Sequence, residues 1–340
     1  MKSWPLLLLG VLLAGQTQAN VATTKTAVVI VSGGAAVSPF TTPKKACNTG
    51  YAAGSTDSYM REYLLGQGYR VFTSPAMAGY GPVPPDAGKE AGPFGDCPKA
   101  LPDIMTVNST GDIQLAGVHL ANFVEYLRRQ YGIRQVHFVA HSMGGLYSRS
   151  AIQYLKQTKS KVKALSLTTL GTPWQGTPFA NPIDPNNPIS GCDGQAICEF
   201  MLGVFAAEAP IIRVELNRRQ MNGLNTYNAG VLDQIPVTLI GGNAFTKPGG
   251  DPNIWPNDGI VDLASALAQD VPDSVITHRR CHLYEGGTHS LWVSENSQPP
   301  LPDNTAITWN EVVGNWVDEA IRGAKTALNQ PNRLGCPVVN

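Results

Sequence analysis

The feature that most constrains this chain is a short stretch near its middle. Val136 to Ala140 is an apolar run of strand length, and it passes without a loop into His141-Ser142-Met143-Gly144-Gly145, after which helical periodicity continues to Lys156. A chain that turns from strand to helix within a few residues needs small side chains around the bend, and Ala140 and Gly144 stand two residues before and two after Ser142. Such a bend holds residue 142 in a strained, exposed position. It also places a helix N-terminus behind it and aims the Met143 N–H into the same space, where both favour a developing negative charge. Ser142 is therefore a candidate nucleophile. The competing reading is a buried serine in an ordinary βα turn, but His141 and Met143 fit no simpler turn chemistry.

The rest of the chain supplies a frame for that bend. Apolar strand-like runs alternate with helical patterns, as expected of an α/β fold with a mostly parallel sheet and helices on both faces. Strands are predicted at Ala27–Val31, Tyr69–Thr73, Val136–Ala140, Ala164–Leu170 and Ile235–Ile240, with a last one inside Ser274–Glu285. Helices are predicted at Ser55–Leu65, Asp112–Tyr131, Met143–Lys156 and Ile307–Leu328, the last with Val312, Trp316, Ala320 and Leu328 at helical spacing. Residues 75–111, rich in Pro and Gly, read as a long surface loop. Residues from about 175 to 234 interrupt the alternation and read as a cap inserted over the sheet edge where ligands bind. Within it, the apolar segment Ala196–Ile212 suits either a mobile lid or a static cap.

A serine hydroxyl is a poor nucleophile without a base and an orienting carboxylate, and on this kind of turn they follow in the order acid, then histidine. Of the downstream histidines, His278 and His282 fall within the last strand, whereas His289 sits in the Gly-rich turn Gly286-Gly287-Thr288-His289 just beyond it. His289 is the candidate base. His119, His137 and His141 precede or abut the serine and read as structural or pocket-lining. For the acid, Asp258 in Asn257-Asp258-Gly259 follows the strand Ile235–Ile240, with Asp251 in reserve. An Asx-turn is the alternative explanation for Asp258. A second oxyanion donor is expected from the loop after the first strand, Ser32-Gly33-Gly34, with Gly34 chosen beside the Met143 N–H.

Charge excludes some partners. Lys plus Arg equals Asp plus Glu at 25 each, so no field strong enough to gather nucleic acid is implied. Lys2, the apolar run Leu6–Ala14 and Thr17-Gln18-Ala19 read as an export signal over residues 1–19, followed by a single domain over 20–340. Six cysteines beyond that segment favour disulfides, and proximity suggests Cys47–Cys97, Cys192–Cys198 and Cys281–Cys336. No paired CxxC spacing points to zinc, and neither a metal nor a cofactor is expected.

Taken together, Val-Ala-His-Ser-Met-Gly-Gly at 139–145, Thr-Leu-Gly-Thr-Pro-Trp-Gln-Gly-Thr-Pro at 169–178, Asn-Asp-Gly-Ile-Val at 257–261 and Gly-Thr-His-Ser-Leu at 287–291 resemble the bacterial secreted lipases and esterases of the α/β-hydrolase superfamily. The resemblance implies an α/β-hydrolase fold and a secreted serine carboxylic-ester hydrolase, with the triad acid at Asp258 and an acyl pocket lined by the 169–178 loop. Ala140, Ser32-Gly33 and Trp174 depart from that family's usual Gly, His-Gly and His. An acyl ester or lipid would be the substrate, with transient contact at a lipid interface and no obligate protein partner. A polyester depolymerase would use the same machinery in an open groove, and a catalytically inactive binding protein would keep the fold alone.

Overall fold

The computed structural model describes residues 25–45, 58–84, 97–180, 210–290 and 305–339. Six strands form its main sheet: β1 (Thr26–Val31), β2 (Val71–Thr73), β5 (Gln135–His141), β6 (Lys163–Leu170), β7 (Val237–Gly242) and β8 (Arg279–Tyr284). Every pairing is parallel, in the order β2-β1-β5-β6-β7-β8. The order reverses between β1 and β5, and in open parallel sheets a crevice for ligands opens beyond the carboxyl ends of strands at such a point. The bend that carries Ser142 leaves β5 there.

Strand β1 shows why the sheet is covered on both faces. Its side chains alternate, so Ala27, Val29 and Val31 enter one apolar cluster and Val28 and Ile30 another. The first cluster takes in helices α2 (Ile113–Tyr131) and α3 (Gly144–Gln157), through residues such as Leu120, Phe123 and Leu146. The second takes in α1 (Ser58–Gly66) through Met60 and Leu64. A strand buried on both sides reads as a continuous apolar run, which explains why these strands are visible in the sequence.

Helix α2 has legible ends. Asp112 caps it by accepting the Leu115 N–H at 2.7 Å, and Gly132 closes it in the left-handed conformation at φ 70°. The other helices are the pair α4 (Pro210–Glu215) and α5 (Arg218–Tyr227) between β6 and β7, the one-turn α6 (Leu263–Ala266), and the C-terminal α7 (Glu311–Arg322) and α8 (Ala324–Ala327).

Three expectations need correction. The span 75–111 is not loop throughout: β3 (Ala76–Met77) and β4 (Val107–Asn108) pair in parallel, and Ala76, Val107 and Asn108 are buried. Strands of two residues are too short for any periodicity to register. The C-terminal helix begins at Glu311, capped by Asn310, rather than at 307, and breaks at Gly323. Its buried stripe is Val313, Val317 and Ile321, one position on from the predicted one, and Val312 is 48% exposed. Two neighbouring apolar residues at 312 and 313 fit either phase, and packing against Met60 and Leu64 decides it.

Cys281 and Cys336 are joined in a disulfide that fastens the C-terminal segment to β8. Cys47, Cys192 and Cys198, most of the 196–212 segment and residues 1–19 lie outside the described residues. Among the described residues no helix is long and apolar enough to cross a membrane.

Candidate active site

Ser142 sits directly after β5 with φ 53°, a left-handed conformation that an L side chain occupies only under constraint. Several contacts supply the constraint. The Ser142 N–H donates to the Leu170 carbonyl at 2.8 Å, and the Ser142 carbonyl accepts from Thr172 Oγ1 at 2.7 Å, so the end of β6 grips both sides of the bend. Small residues let the chain close. A Cβ on Gly33 would lie 2.6 Å from Ser142 Cβ, and one on Gly144 would lie 2.4 Å from the Val31 carbonyl oxygen. Backbone strain at 142 is thus held by backbone contacts that no larger side chain would permit.

Three side chains predicted to act together meet at this point. Ser142 Oγ is 2.9 Å from His289 Nε2, and His289 Nδ1 is 2.7 Å from Asp258 Oδ2. The carboxylate can only accept, so Nδ1 carries the imidazole proton and Nε2 is left to accept from the serine hydroxyl. All three residues are buried, with Asp258 1% and His289 3% exposed, which limits competition from water for the bonds between them.

The two carboxylate oxygens of Asp258 have separate partners. Oδ1 accepts the N–H groups of Ile260 at 3.0 Å and Val261 at 2.8 Å, forming the Asx-type turn, while Oδ2 faces the imidazole. The turn therefore fixes the rotamer that the imidazole requires. His289 is tied to the same segment a second time, because its N–H donates to the Asp258 carbonyl at 2.9 Å. Asp251 instead lies exposed, accepting from Asn253 in its own loop, away from the imidazole.

His119, His137, His282 and His141 have other partners. His119 Nδ1 lies 2.9 Å from the Thr106 carbonyl, His137 Nδ1 lies 2.7 Å from Ser166 Oγ, and His282 stacks on Trp316 with ring centroids 4.7 Å apart. Burial pushes the imidazoles of His137 and His282 down to about 4. His141 is buried beside His289 and bonds to its carbonyl.

The two residues predicted to supply oxyanion donors, Gly34 and Met143, are in contact. A Cβ on Gly34 would lie 2.7 Å from Met143 Sδ and 3.2 Å from Ile212 Cδ1, so the loop after β1 runs against the residue that follows the serine. Neither Gly34 N–H nor Met143 N–H has a hydrogen-bond acceptor among the described residues. The neighbouring Ala35 N–H is committed to the Ser109 carbonyl at 3.0 Å.

The segment from Gly171 to Thr177 has a part that the sequence did not disclose. It ties the serine bend to the acid loop. Thr172 holds the Ser142 carbonyl, Thr177 Oγ1 donates to the Ile260 carbonyl at 2.5 Å, and Ser265 Oγ donates to the Gly176 carbonyl at 2.6 Å while accepting the Gln175 N–H at 3.0 Å. Gly171, at φ 60°, passes so close that a Cβ there would lie 2.9 Å from Asp258 Oδ2 and 3.0 Å from His289 Nδ1. The run Leu170-Gly171-Thr172 at a strand end was the available signal. Trp174 is wholly buried, donating to Thr169 Oγ1 at 3.3 Å with the Arg149 guanidinium 5.1 Å from its ring centre, so this side chain packs in the core. Burial lowers the Arg149 guanidinium to about 9.

Among the described residues no three or more His, Cys, Asp or Glu side chains converge as metal ligands would. What the arrangement can do is move a proton from the serine hydroxyl to the imidazole at the mouth of a parallel sheet, beside two amide donors that have no acceptor among the described residues.

Strand order, the strained serine after β5, an acid after β7 and a histidine after β8 together define an α/β-hydrolase fold. Residues 105–186, from just before β4 through the serine bend and beyond β6, match the family described as "Putative serine esterase (DUF676)". No curated protein matches the chain. Solved structures similar to it include the mature lipase of Bacillus licheniformis, at 18% identity over 71% of this chain and 78% of that one, with a TM-score of 0.43. A thermostable carboxyl esterase of Bacillus coagulans is similar at 15% identity over 88% and 90% of the two chains, with a TM-score of 0.47. Est1E of Butyrivibrio proteoclasticus, solved with ferulic acid, is similar at 13% identity over 89% and 92%, with a TM-score of 0.46.

Proposed function

We propose that this chain is an exported serine esterase of the lipase kind, hydrolysing carboxylic esters of acyl chains through an acyl-enzyme on Ser142. The observation that carries the reading is the continuous hydrogen-bonded line from Ser142 Oγ through His289 to Asp258 Oδ2. As Ser142 Oγ attacks the acyl carbon, His289 Nε2 takes its proton, and Asp258 holds the imidazole in the required tautomer and offsets the charge it gains. The carbonyl oxygen becomes an oxyanion that the Met143 and Gly34 N–H groups receive. His289 then protonates the departing alkoxide. Water, deprotonated by the same imidazole, releases the acid and restores the serine.

The cap expected over residues 175–234 belongs to the same reading, and the approach of Ile212 to Gly34 supports an apolar wall for the acyl chain. Export is supported by the signal-like pattern of residues 1–19 and by the Cys281–Cys336 disulfide, which suits an oxidising compartment outside the cytoplasm, the periplasm included.

The test combines labelling with turnover. Wild type is expected to react with a fluorophosphonate and to release acid from p-nitrophenyl esters, whereas Ser142→Ala folds but does neither. A serine variant that keeps its activity overturns the assignment. An ester series from short to long acyl chains, measured below and above substrate solubility, should rise toward long chains. A preference for polymer film over both soluble and emulsified esters would replace the lipase reading with a polyester depolymerase.

A further inference from the structure

Building on the serine-esterase reading, we infer that His141 is a positioning residue that clamps the loop carrying the base, by donating from Nε2 to the His289 carbonyl. The separation is 2.9 Å, between residues 148 positions apart in sequence, and the two imidazole centres lie 4.8 Å from each other. A carbonyl only accepts, so His141 is the Nε2–H tautomer with a bare Nδ1. That Nδ1 is buried and has no partner among the described residues, so protonation would bury an unpaired N–H beside the imidazolium that forms on His289 during turnover. Burial and the neighbouring His289 charge accordingly hold the His141 imidazole well below its usual range, as a neutral, permanent donor.

The position of the clamp gives it leverage. His141 and Ser142 are consecutive, so one rigid strand end grips His289 twice, at its backbone through residue 141 and at its ring through residue 142. From the opposite side Asp258 does the same, accepting the His289 N–H with its carbonyl and Nδ1–H with Oδ2. A base borne on a turn is thereby fixed at four points by three residues, His141, Ser142 and Asp258. Without the His141 donor the backbone of residue 289 would be held from the acid side alone, and the imidazole could drift from Ser142 Oγ. Displacements on the order of 1 Å cost about 100-fold in rate. Substrate binding would be little changed, because His141 is buried and acts through the backbone of residue 289.

The test uses the full chain with His141→Leu and His141→Met, which remove the donor, and His141→Gln, whose amide can still donate. Rates are expressed per fluorophosphonate-titrated site, so that only folded enzyme is counted. Both apolar variants are expected to lose about 10- to 100-fold in kcat and in labelling rate, with KM within about threefold of wild type. His141→Gln should recover most of the loss. Wild-type kcat per site in the apolar variants overturns the clamp, as does a Gln variant no better than Leu. ¹⁵N spectra of the wild-type protein read the tautomer without any substitution, and a Nδ1–H His141 overturns the clamp as well. A wild type that neither labels nor hydrolyses esters would instead remove the serine-esterase reading itself.

Discussion

Gly171→Ala places one methyl group over the hydrogen bond between Asp258 and His289. The added Cβ would lie 2.9 Å from Asp258 Oδ2 and 3.0 Å from His289 Nδ1, against about 3.4 Å for the near edge of ordinary contact, so each partner must give by roughly half an ångström. The backbone resists too. At φ 60° an alanine costs about 1–2 kcal/mol relative to glycine, and overpacking adds about 1–3 kcal/mol, partly offset by about 0.4–1 kcal/mol from a stiffer unfolded chain. The net loss is about 1–5 kcal/mol. Unfolding entropy of about 2.1 cal/mol/K per residue gives roughly 0.7 kcal/mol/K for 340 residues, hence a fall in Tm of about 1–7 °C. Because the methyl group wedges the orienting pair rather than the substrate, kcat should drop about 10- to 100-fold with KM little changed. Calorimetry and p-nitrophenyl ester kinetics measure the two effects on one preparation. A variant that melts early yet turns over at the wild-type rate would refute the argument that this glycine keeps space for the acid and base.

Asp258→Asn preserves the Oδ1 acceptor for the Ile260 and Val261 N–H groups but presents an amide to His289, so the fold should survive while kcat falls about 10⁴-fold; stopped-time ester assays beside circular dichroism check both halves. Replacing Cys281 and Cys336 by serine together frees a loop of 55 residues and should cost about 4 kcal/mol in urea unfolding, by loop entropy. His137, held down to about 4 by burial, has a folded value below its unfolded 6.5, so its contribution is complete above pH 6.5 and drains away as pH falls toward 4. Urea midpoints of wild type should therefore fall across that window more steeply than those of His137→Gln. Asp262 has the opposite sign: burial raises its carboxyl to about 7 from 3.8, so it destabilises increasingly as pH climbs between those values. Asp262→Asn keeps an oxygen for the Ser265 N–H and should melt higher than wild type at pH 8 while matching it near pH 4.

Residues whose surroundings are local left a mark in the sequence. Ser142 needed small neighbours two positions away on each side, and those letters stand beside it. Asp258 needed a turn to aim its carboxylate, and the turn is written in Asn-Asp-Gly. His289 needed a loop beyond the last strand, and the glycines before it supply one. Strands β1, β5 and β6 were legible because burial on both faces gives an unbroken apolar run. The phase of α7 was not legible, since its Val312-Val313 pair satisfies two registers and only the helix it packs against distinguishes them.

The strap from Gly171 to Thr177 and the His141 contact are long-range in sequence, joining residue 172 to 142, 177 to 260 and 141 to 289. A hydroxyl that holds a backbone carbonyl thirty residues away has no spacing rule, so Thr172 looks like any strand-end threonine. Yet these bonds decide whether the three legible side chains meet. The Ser142 bend is strained at φ 53°, and a strained turn persists only where its surroundings over-determine it. The motif therefore names the groups proposed to react, while the strap and the His141 contact fix where they stand. A design that transplanted Ala-His-Ser-Met-Gly with Asp258 and His289 onto another parallel sheet, without Thr172 and Gly171, should bind a fluorophosphonate slowly or not at all.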